Sequence, residues 1–430
     1  MNTALHPAPA SPEATELAAT YAAIRQTTLD LIAPLSPEDC QVQSMPDASP
    51  AKWHLAHTAW FFETFVLEPH ETGFRPFDAS FRVLFNSYYQ GVGAVQPRAQ
   101  RGLIARPSLA DVKRYRAAVD DRIQQLLDSH AADAGLTRLV TLGLQHEQQH
   151  QELLLTDIKH ALSFNPMRGA YARRWPMTSV SAQPLRWFDQ LGGLVEQGFD
   201  APLDGTFCFD NETPRHGVYL APFALASRPV TNGEYLAFIA DAGYQRPELW
   251  LAAGWDWVCS ARRTQPLYWH ELDGRRMCHT LQGWVEIDAR TPVCHLSHFE
   301  ADAFARWAGA RLPTESEWEH AARQLRATGR PNFADRGAFH PLPADGEADG
   351  PVQMFGDVWE WTQSSYGAYP GYRPLPGAVG EYNGKFMSNQ YVLRGGSCAT
   401  PAGHVRASYR NFFPTDAQWQ FSGVRLARDL

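Results

Sequence analysis

Three histidines are spaced so that they could hold one metal ion. His146 and His150 lie four residues apart, and His57 lies much earlier in the chain. Residues four apart on a helix share one face, so His146 and His150 could bind one metal from a single helix. A third imidazole from a neighbouring helix would leave the opposite side of the metal open, which is typical of a catalytic site.

Two alternatives stay open on the residues alone. The string from His146 to His150 also has the H-E-x-x-H pattern of zinc metalloproteases, in which Glu147 would act as the general base. The continuation that marks metzincins does not follow it. His54 competes with His57 for the third position, because the two residues lie close together and both could face the interior of a helical bundle.

The elements that must position these residues are predicted to be helices. Capping patterns and apolar periodicity indicate four of them. The first helix begins near Ser11-Pro12, and the second begins at Ser49-Pro50 and ends at Glu68-Pro69. The third runs from Ser108 to about His130, and the fourth runs from Leu136 to Leu162. A long irregular segment, 70–107, separates the second helix from the third. Four helices with one long crossover indicate a helical bundle, and bundles place metals between facing helices.

After Trp187 the composition of the chain and its pattern of predicted elements change. Short strand-like pieces alternate with Gly, Pro, Trp and Asn, and capping patterns predict helices after Thr231, Ser297 and Thr314. The second part is therefore predicted to be an α+β domain that is rich in loops.

Composition limits the partners of this chain. Its 430 residues predict two or three domains, and its formal net charge of -8 without a basic patch argues against nucleic acid. No apolar run approaches the roughly 18 residues of a membrane helix, and residues 1–14 lack the pattern of a signal peptide. Six scattered cysteines fit reduced thiols. We therefore expect a cytoplasmic protein that binds neither nucleic acid nor membrane.

Five strings in the second part resemble the formylglycine-generating-enzyme type of domain, which has a C-type-lectin-like fold. They are Pro229–Tyr235, Pro292–Ser297, Arg306–Glu319, Gly356–Trp361 and Leu393–Ser397. The resemblance covers about 185–430. Formylglycine-generating enzymes need a closely spaced cysteine pair, and Cys398 is the only cysteine in the corresponding region. The fold is therefore expected to serve another function.

The first part resembles the DinB-like four-helix metal proteins. A DinB-like bundle at 1–168 followed by a formylglycine-generating-enzyme-like domain at 185–430 resembles one family, the ergothioneine-type sulfoxide synthases (EgtB). The resemblance implies an oxidoreductase with an α plus α+β fold. It implies Fe(II) as the cofactor and hercynine, a thiol donor and O2 as small-molecule substrates. The selenoneine synthases (SenA), which use a selenosugar donor, are an alternative, and a zinc hydrolase is a more remote one.

The resemblance also implies roles for single residues. It favours His57 in Leu55-Ala56-His57 as the third ligand and leaves His54 as a supporting or core histidine. Gln149 resembles the glutamine that hydrogen-bonds the substrate imidazole, and Tyr88 and Tyr89 resemble the tract that supplies a catalytic tyrosine.

A last string, near the C-terminus, resembles the place where the family contacts hercynine. Asn411 would hold the hercynine carboxylate, and Phe412 and Phe413 would form a wall of the pocket. Aromatic faces bind quaternary ammonium groups such as that of hercynine.

Overall fold

The computed structural model describes residues 12–129, 133–176, 183–200, 206–325, 330–345 and 349–430. The chain divides into two compact units, Met1–Asp157 and Ile158–Leu430. The first unit is helical, and the second combines helices with short strands. The α plus α+β fold class predicted from the sequence is therefore confirmed. Within the described residues, no helix has both the length and the apolar character needed to cross a bilayer.

Four long helices build the first unit, and all four were predicted. They are α1 (Pro12–Ile32), α2 (Ala51–Phe62), α3 (Leu109–Ser129) and α4 (Ala134–Ser163). The predicted cap of α3 is present, since Ser108 and Asp111 exchange backbone and side-chain hydrogen bonds. Ser11 and His130, near which two helix ends were predicted, lie outside the described residues. Short helical turns lie at Asp39–Gln41, Phe81–Leu84 and Arg98–Leu103.

The predicted end of the second helix needs a small correction. A π-helical turn, Glu63–Leu67, and a short helix, Glu68–His70, continue α2 without a break. Pro69 stands in the first turn of that short helix. Proline lacks the N–H group that would continue the helical hydrogen bonds at this position, and the π-helical turn with its altered bonding lies directly before it. The helical path therefore ends at His70.

Helix α2 runs through the middle of its unit, and every residue from Ala51 to Phe62 is buried. Gly143 on α4 explains how closely the two helices approach, because a Cβ atom there would lie 2.6 Å from the ring of Phe62. A larger residue would push the helices apart. The glycine lies three residues before His146, so this contact sets the distance between the histidines of α2 and those of α4.

Short strands form several small sheets in the second unit. Strands β1 (Trp187–Gln190), β4 (Phe223–Ala226) and β12 (Ala427–Asp429) form one antiparallel sheet, and β2 (Gly193–Gln197) pairs with β3 (His216–Leu220). Another antiparallel sheet contains β5 (Trp269–Leu272), β6 (Arg275–Thr280) and β7 (Gly283–Glu286). The fourth has the order β10 (Asn411–Pro414), β9 (Gln390–Arg394), β8 (Trp359–Ser365) and β11 (Ser422–Gly423), with β11 parallel to β8.

The helices of the second unit are α5 (Asn232–Ala240), α6 (Ala252–Ala261), α7 (His298–Trp307), α8 (Glu315–Arg323) and the short α9 (Glu381–Gly384). Helical turns lie at Asp210–Glu212, Gly243–Gln245, Pro247–Leu249, Ala334–Arg336 and Ala378–Gly380. The three helices predicted from caps are confirmed, because α5, α7 and α8 each begin with a capping box.

The Gly356–Trp361 string has a structural role in the core of this unit. Glu360 is fully buried, where it accepts hydrogen bonds from Arg425 and from the indole of Trp318. Asp357 accepts hydrogen bonds from the Asn332 side chain and from the Leu342 N–H group. These residues hold strand β8 against its neighbours.

Candidate active site

His57 on α2 and His146 and His150 on α4 converge in the first unit. One ring nitrogen of each lies within 4.8 Å of the other two, and all three side chains are buried. Within the described ranges, no other group of three or more His, Cys, Asp or Glu residues lies close enough to hold a metal. The structure thus brings together the three histidines that the sequence singled out.

The hydrogen bonding of His57 turns one lone pair toward this point. Its Nδ1 lies 2.7 Å from the carbonyl oxygen of Phe85. A carbonyl only accepts, so Nδ1 carries the proton and Nε2 carries the lone pair. That Nε2 is buried and has no hydrogen-bond partner among the described residues. A buried lone pair of this kind is expensive to leave unsatisfied, and a bound metal would satisfy it.

His146 and His150 face each other through their Nε2 atoms, which lie 3.1 Å apart. Two nitrogens bound at about 2.1 Å and at right angles on one metal would be about 3 Å apart. The Nδ1 of His150 is occupied, because it lies 2.8 Å from Nδ1 of His54. The observed spacing therefore fits two neighbouring ligands of one ion.

Burial keeps all three rings neutral. It lowers the pKa of His146 to about 3 and holds the pKa values of His57 and His150 well below the ordinary range, where the neighbouring His146 lowers them further. A neutral imidazole is the form that binds a metal. The triad is therefore in its ligand form at neutral pH.

Aromatic rings surround the triad. The ring of His57 is sandwiched between Trp53 and Trp60, with centroid distances of 4.5 and 5.4 Å. Phe61 packs against His146 at 4.6 Å. These rings fix the orientation of the imidazoles and exclude water from two sides of the site.

Glu147 points away from this point, as helix geometry requires for the next residue along α4. Its carboxylate accepts hydrogen bonds from Arg25 at 2.8 Å, from Thr28 at 2.5 Å and from Arg116. Burial alone would raise its pKa, but Arg116 and Arg25 outweigh burial and hold the pKa at about 2. Glu147 is therefore an ionised partner of two buried arginines.

His54 lies behind His150 and takes no part in the triad itself. Its Nε2 is 3.0 Å from a carboxylate oxygen of Asp157, so the ring bridges His150 and that carboxylate. Asp157 was not predicted from the sequence. Its position seven residues after His150, on the same face of α4, was the available signal.

The two candidate tyrosines occupy different environments. Tyr89 is buried, with ring centroids 5.6 Å from Trp60 and 5.0 Å from Phe65. Tyr88 is half-buried, and its ring lies 4.8 Å from that of Tyr89. Both belong to the irregular segment between the second and third helices, as predicted, and a catalytic role for either stays a prediction.

Gln149 is half-buried and immediately precedes His150 on α4. Helix geometry places it about 60° around the axis from His146. Gln149 therefore borders the face that carries the metal-facing rings, and its contact with a substrate stays a prediction.

The predicted substrate residues of the second unit lie on strand β10. Successive residues of a strand point to opposite sides, so Asn411 and Phe413 share one side and Phe412 takes the other. Phe412 stacks on Tyr366 at 4.1 Å, whereas Phe413 packs against Trp419 at 5.6 Å. The two phenylalanines therefore belong to different aromatic clusters, and their substrate roles stay predictions.

Comparison with known proteins places both halves of the chain. The sulfatase-modifying factor enzyme 1-like domain matches residues 190–342 and 332–430, and the DinB superfamily matches residues 20–154. A hercynine oxygenase of Mycolicibacterium thermoresistibile is 35% identical over 98% of this chain and 96% of the relative. The chain belongs to the hercynine oxygenase (EgtB) family. The resemblance inferred from the sequence is thereby confirmed.

Other relatives differ in how much of the chain they match. The hercynine oxygenase of Mycobacterium tuberculosis is 34% identical over 98% of this chain and 100% of the relative. A formylglycine-generating enzyme of Streptomyces coelicolor is 30% identical, over 51% of this chain and 82% of the relative. The hercynine oxygenases therefore match the metal-facing bundle as well as the second part.

Family membership identifies the chain as an oxidative, oxygen-dependent enzyme. The three convergent neutral imidazoles fit a metal ion, because their spacing suits neighbouring ligands and one of them presents a buried lone pair. The enzyme is therefore metal-dependent. The hydrolase alternative finds no support, since Glu147 is bound to Arg25 and Arg116 on another side of α4.

Proposed function

We propose that this chain is a non-haem Fe(II) enzyme that uses O2 to join sulfur to C2 of the hercynine imidazole, a step of ergothioneine biosynthesis. The observation that carries the proposal is the convergence of His57, His146 and His150 within 4.8 Å in a member of the hercynine oxygenase family.

The reaction with O2, rather than the donor set, supports iron as the metal. Imidazole binds iron, zinc and copper alike, and we propose iron because a reaction with O2 needs a metal that changes oxidation state. When bound, Fe(II) would supply electrons to O2 and offer open positions to the substrates. The three rings carry no charge, so they leave the charge of the ion uncompensated. They therefore favour binding of the sulfur donor as its thiolate.

A phenol from the irregular segment would control the protons of the reaction. We propose that Tyr88 or Tyr89 donates a proton to reduced oxygen, which favours C–S bond formation over simple oxidation of the thiol. Replacing the acting tyrosine with Phe should divert turnover from the hercynine product to oxidised thiol. Metal content should stay unchanged, because neither ring is a ligand. If Tyr88→Phe and Tyr89→Phe both keep the wild-type product ratio, this role is wrong.

Asn411 is proposed to bind the hercynine carboxylate. Its amide oxygen accepts the Phe412 N–H at 2.9 Å, so the amide NH2 group is the part that can donate to a carboxylate. On the same side of β10, Phe413 and Trp419 offer aromatic faces that suit a quaternary ammonium group. Gln149 and Phe412 stay candidates for contacts to the imidazole and to the pocket wall.

A titration tests the Asn411 role. We expect Asn411→Ala to weaken hercynine binding by about 1–3 kcal/mol, the usual cost of a lost hydrogen bond to a charged group. Asn411→Asp should weaken it further, since two carboxylates would repel each other. Calorimetric titration with hercynine measures both variants, and their metal content should equal that of the wild type. Unchanged hercynine affinity in both would remove Asn411 from the pocket.

One assay tests the proposed function as a whole. The metal-free chain is loaded with Fe(II) without oxygen and then given O2, hercynine and either a thiol or a selenosugar. We expect O2 uptake that depends on hercynine, and a product whose mass shows sulfur attached to the imidazole. The Zn(II)-loaded chain is the control. A selenium product formed only with the selenosugar would assign the selenoneine alternative, and no hercynine-dependent uptake with either donor would exclude both.

A further inference from the structure

His54 connects a proposed metal ligand to a buried carboxylate. Its Nδ1 lies 2.8 Å from Nδ1 of His150, and its Nε2 lies 3.0 Å from Oδ2 of Asp157. The three side chains are between 2% and 8% exposed. The connection His150–His54–Asp157 is therefore shielded from water along its whole length.

Both helices of the site hold this connection in place. His54 lies three residues before His57 on α2, and Asp157 lies seven residues after His150 on α4. The oxygen of Asp157 that faces His54 also accepts the backbone N–H of Ser49 at 2.8 Å, just before α2 begins. That second bond prevents the carboxylate from turning away from the imidazole.

The position of each proton follows from what binds at the two ends of this connection. If Nε2 of His150 binds a metal, its Nδ1 must carry the proton. The Nδ1 of His54 must then accept that proton's hydrogen bond, so Nε2 of His54 carries the other proton. The partner of Nε2 is the carboxylate of Asp157, which accepts only. Each N–H group along the connection His150–His54–Asp157 therefore faces an acceptor, and no two N–H groups face each other.

We propose that Asp157, acting through His54, is a positioning residue that holds His150 as an Nε2 ligand. This inference rests on the proposed metal-binding role of His150. A carboxylate behind a ligating histidine fixes its tautomer and makes it a stronger donor. Here the carboxylate of Asp157 does not contact the ligand His150 directly but acts through the imidazole of His54.

The proposal makes the ligands of the site unequal. His57 is oriented by the neutral carbonyl of Phe85, whereas His150 is backed by a negative charge. His150 is therefore the stronger donor of the two.

Three substitutions separate the parts of this connection. Asp157→Asn removes the charge but keeps an oxygen that can accept from His54 and Ser49. His54→Asn keeps an acceptor close to the position of Nδ1 but loses the link to Asp157. His54→Leu removes both. Tyr115→Phe is the control, because it removes a buried 2.7 Å hydrogen bond to Glu63 in the same unit without touching the connection.

Binding of Co(II) alone to the full-length, metal-free chain provides the test. Competition with a chromophoric chelator gives the affinity, and the visible absorption bands of Co(II) report its ligands. We expect affinity to fall about 10-fold in Asp157→Asn and His54→Asn and about 100-fold in His54→Leu, the range found for lost partners of ligating histidines. Tyr115→Phe should bind like the wild type. The absorption bands should change only in His54→Leu.

The outcomes separate this inference from the proposed function. If the wild type binds no Co(II), the proposed metal site is wrong. If the wild type binds and His54→Leu binds equally well, the connection plays no part and the inference is overturned. Melting curves show whether each variant is folded. Equal losses in Tyr115→Phe and His54→Leu would also overturn the inference, because a general loss of packing would then explain the effect.

Discussion

His146 and Glu147 are neighbours on α4 and meet opposite environments. On the side of His146, three neutral rings turn nitrogen atoms toward a common point, and no charge of the protein lies among those atoms. On the side of Glu147, one carboxylate is bound by Arg25 and Arg116. Both sides are buried, so burial alone does not decide which side can bind an added ion.

The difference lies in which interactions the protein completes by itself. The Glu147 cluster joins all four helices of the unit, because Arg116 on α3 also donates to Thr58 on α2 and to the backbone oxygen of Arg25 on α1. On the other side, Nε2 of His57 has no partner among the described residues. The first side holds the bundle together, and the second side is built to be completed by a cation.

Removal of a triad histidine should produce the largest effect. We expect His57→Ala and His146→Ala to abolish measurable iron binding and all turnover, because two imidazoles cannot hold the ion against water. The folded state should survive, because each substitution removes one ring while the Glu147 cluster still joins the four helices of the unit. Metal analysis of the purified variants and melting curves provide the measurements.

His320→Ala is the matched control for the triad variants, since His320 lies on α8 in the other unit. It should keep full metal content. The assignment fails if His57→Ala retains iron, and it fails in favour of His54 if His54→Ala is the variant that loses iron completely.

Loss of the Glu147 charge should produce the next largest effect, and it should act on stability. Glu147→Gln leaves the buried Arg116 without a carboxylate and leaves Arg25 with Asp120 alone. Breaking a buried ion pair typically costs about 3–5 kcal/mol of unfolding free energy. The folded fraction should still bind metal and turn over. Urea unfolding and metal content per folded molecule give the two values.

Glu16→Gln is the control for this charge, because Glu16 is exposed on α1. Its effect on unfolding should stay within about 0.5 kcal/mol. If Glu147→Gln instead binds metal and stays folded but loses all turnover, Glu147 is a catalytic base and the contrast between the two sides is wrong.

The sequence predicted the residues on the His146 side of α4 much better than those on the Glu147 side. The spacing of His146 and His150 fixes a shared helix face, and the Leu55-Ala56-His57 match selected His57, so the triad could be predicted. The partners of Glu147 could not, because Arg25 and Arg116 come from α1 and α3 and no spacing rule connects them. The H-E-x-x-H pattern alone even predicts a different role for Glu147.

The same limit applies to the fold. Caps and periodicity predicted the four long helices and the capped helices of the second unit, since these signals are local. The order of the strands in the sheets, the approach of α2 to α4 at Gly143 and the connection of His54 to Asp157 depend on contacts between distant residues. Alternation along β10 could have separated Phe412 from Asn411 and Phe413, once a strand was assigned there.

A buried histidine outside the triad sharpens the comparison through pH. Burial, helped by Arg406, lowers the pKa of His404 to about 3, as low as that of His146. Among the described residues, His404 belongs to no group that could hold a metal. The unfolded chain takes up a proton at His404 below its ordinary pKa of about 6.5, and the folded chain does not. Stability is therefore lost as pH falls from about 6.5 toward 3, by about 2 kcal/mol at pH 5 for this group.

His404→Gln should remove this part of the acid sensitivity. Between pH 7.5 and 5, the variant should lose about 2 kcal/mol less unfolding free energy than the wild type, as measured by urea unfolding of both proteins at the two pH values. Added Co(II) should leave this difference between the proteins unchanged. A pH dependence equal to that of the wild type would mean that His404 is charged in the folded protein.

A neutral partner of the Glu147 cluster should produce a smaller effect than Glu147 itself. Thr28 donates to Glu147 at 2.5 Å and accepts from Gln151 at 3.0 Å. Thr28→Val keeps the shape but removes both bonds, while both arginines keep their carboxylate. We expect a loss of about 1–3 kcal/mol, below that of Glu147→Gln, with metal content unchanged. Urea unfolding of Thr28→Val and of Glu147→Gln measures the two losses of unfolding free energy. If Thr28→Val costs as much as Glu147→Gln, hydrogen bonding rather than charge pairing holds this side of α4.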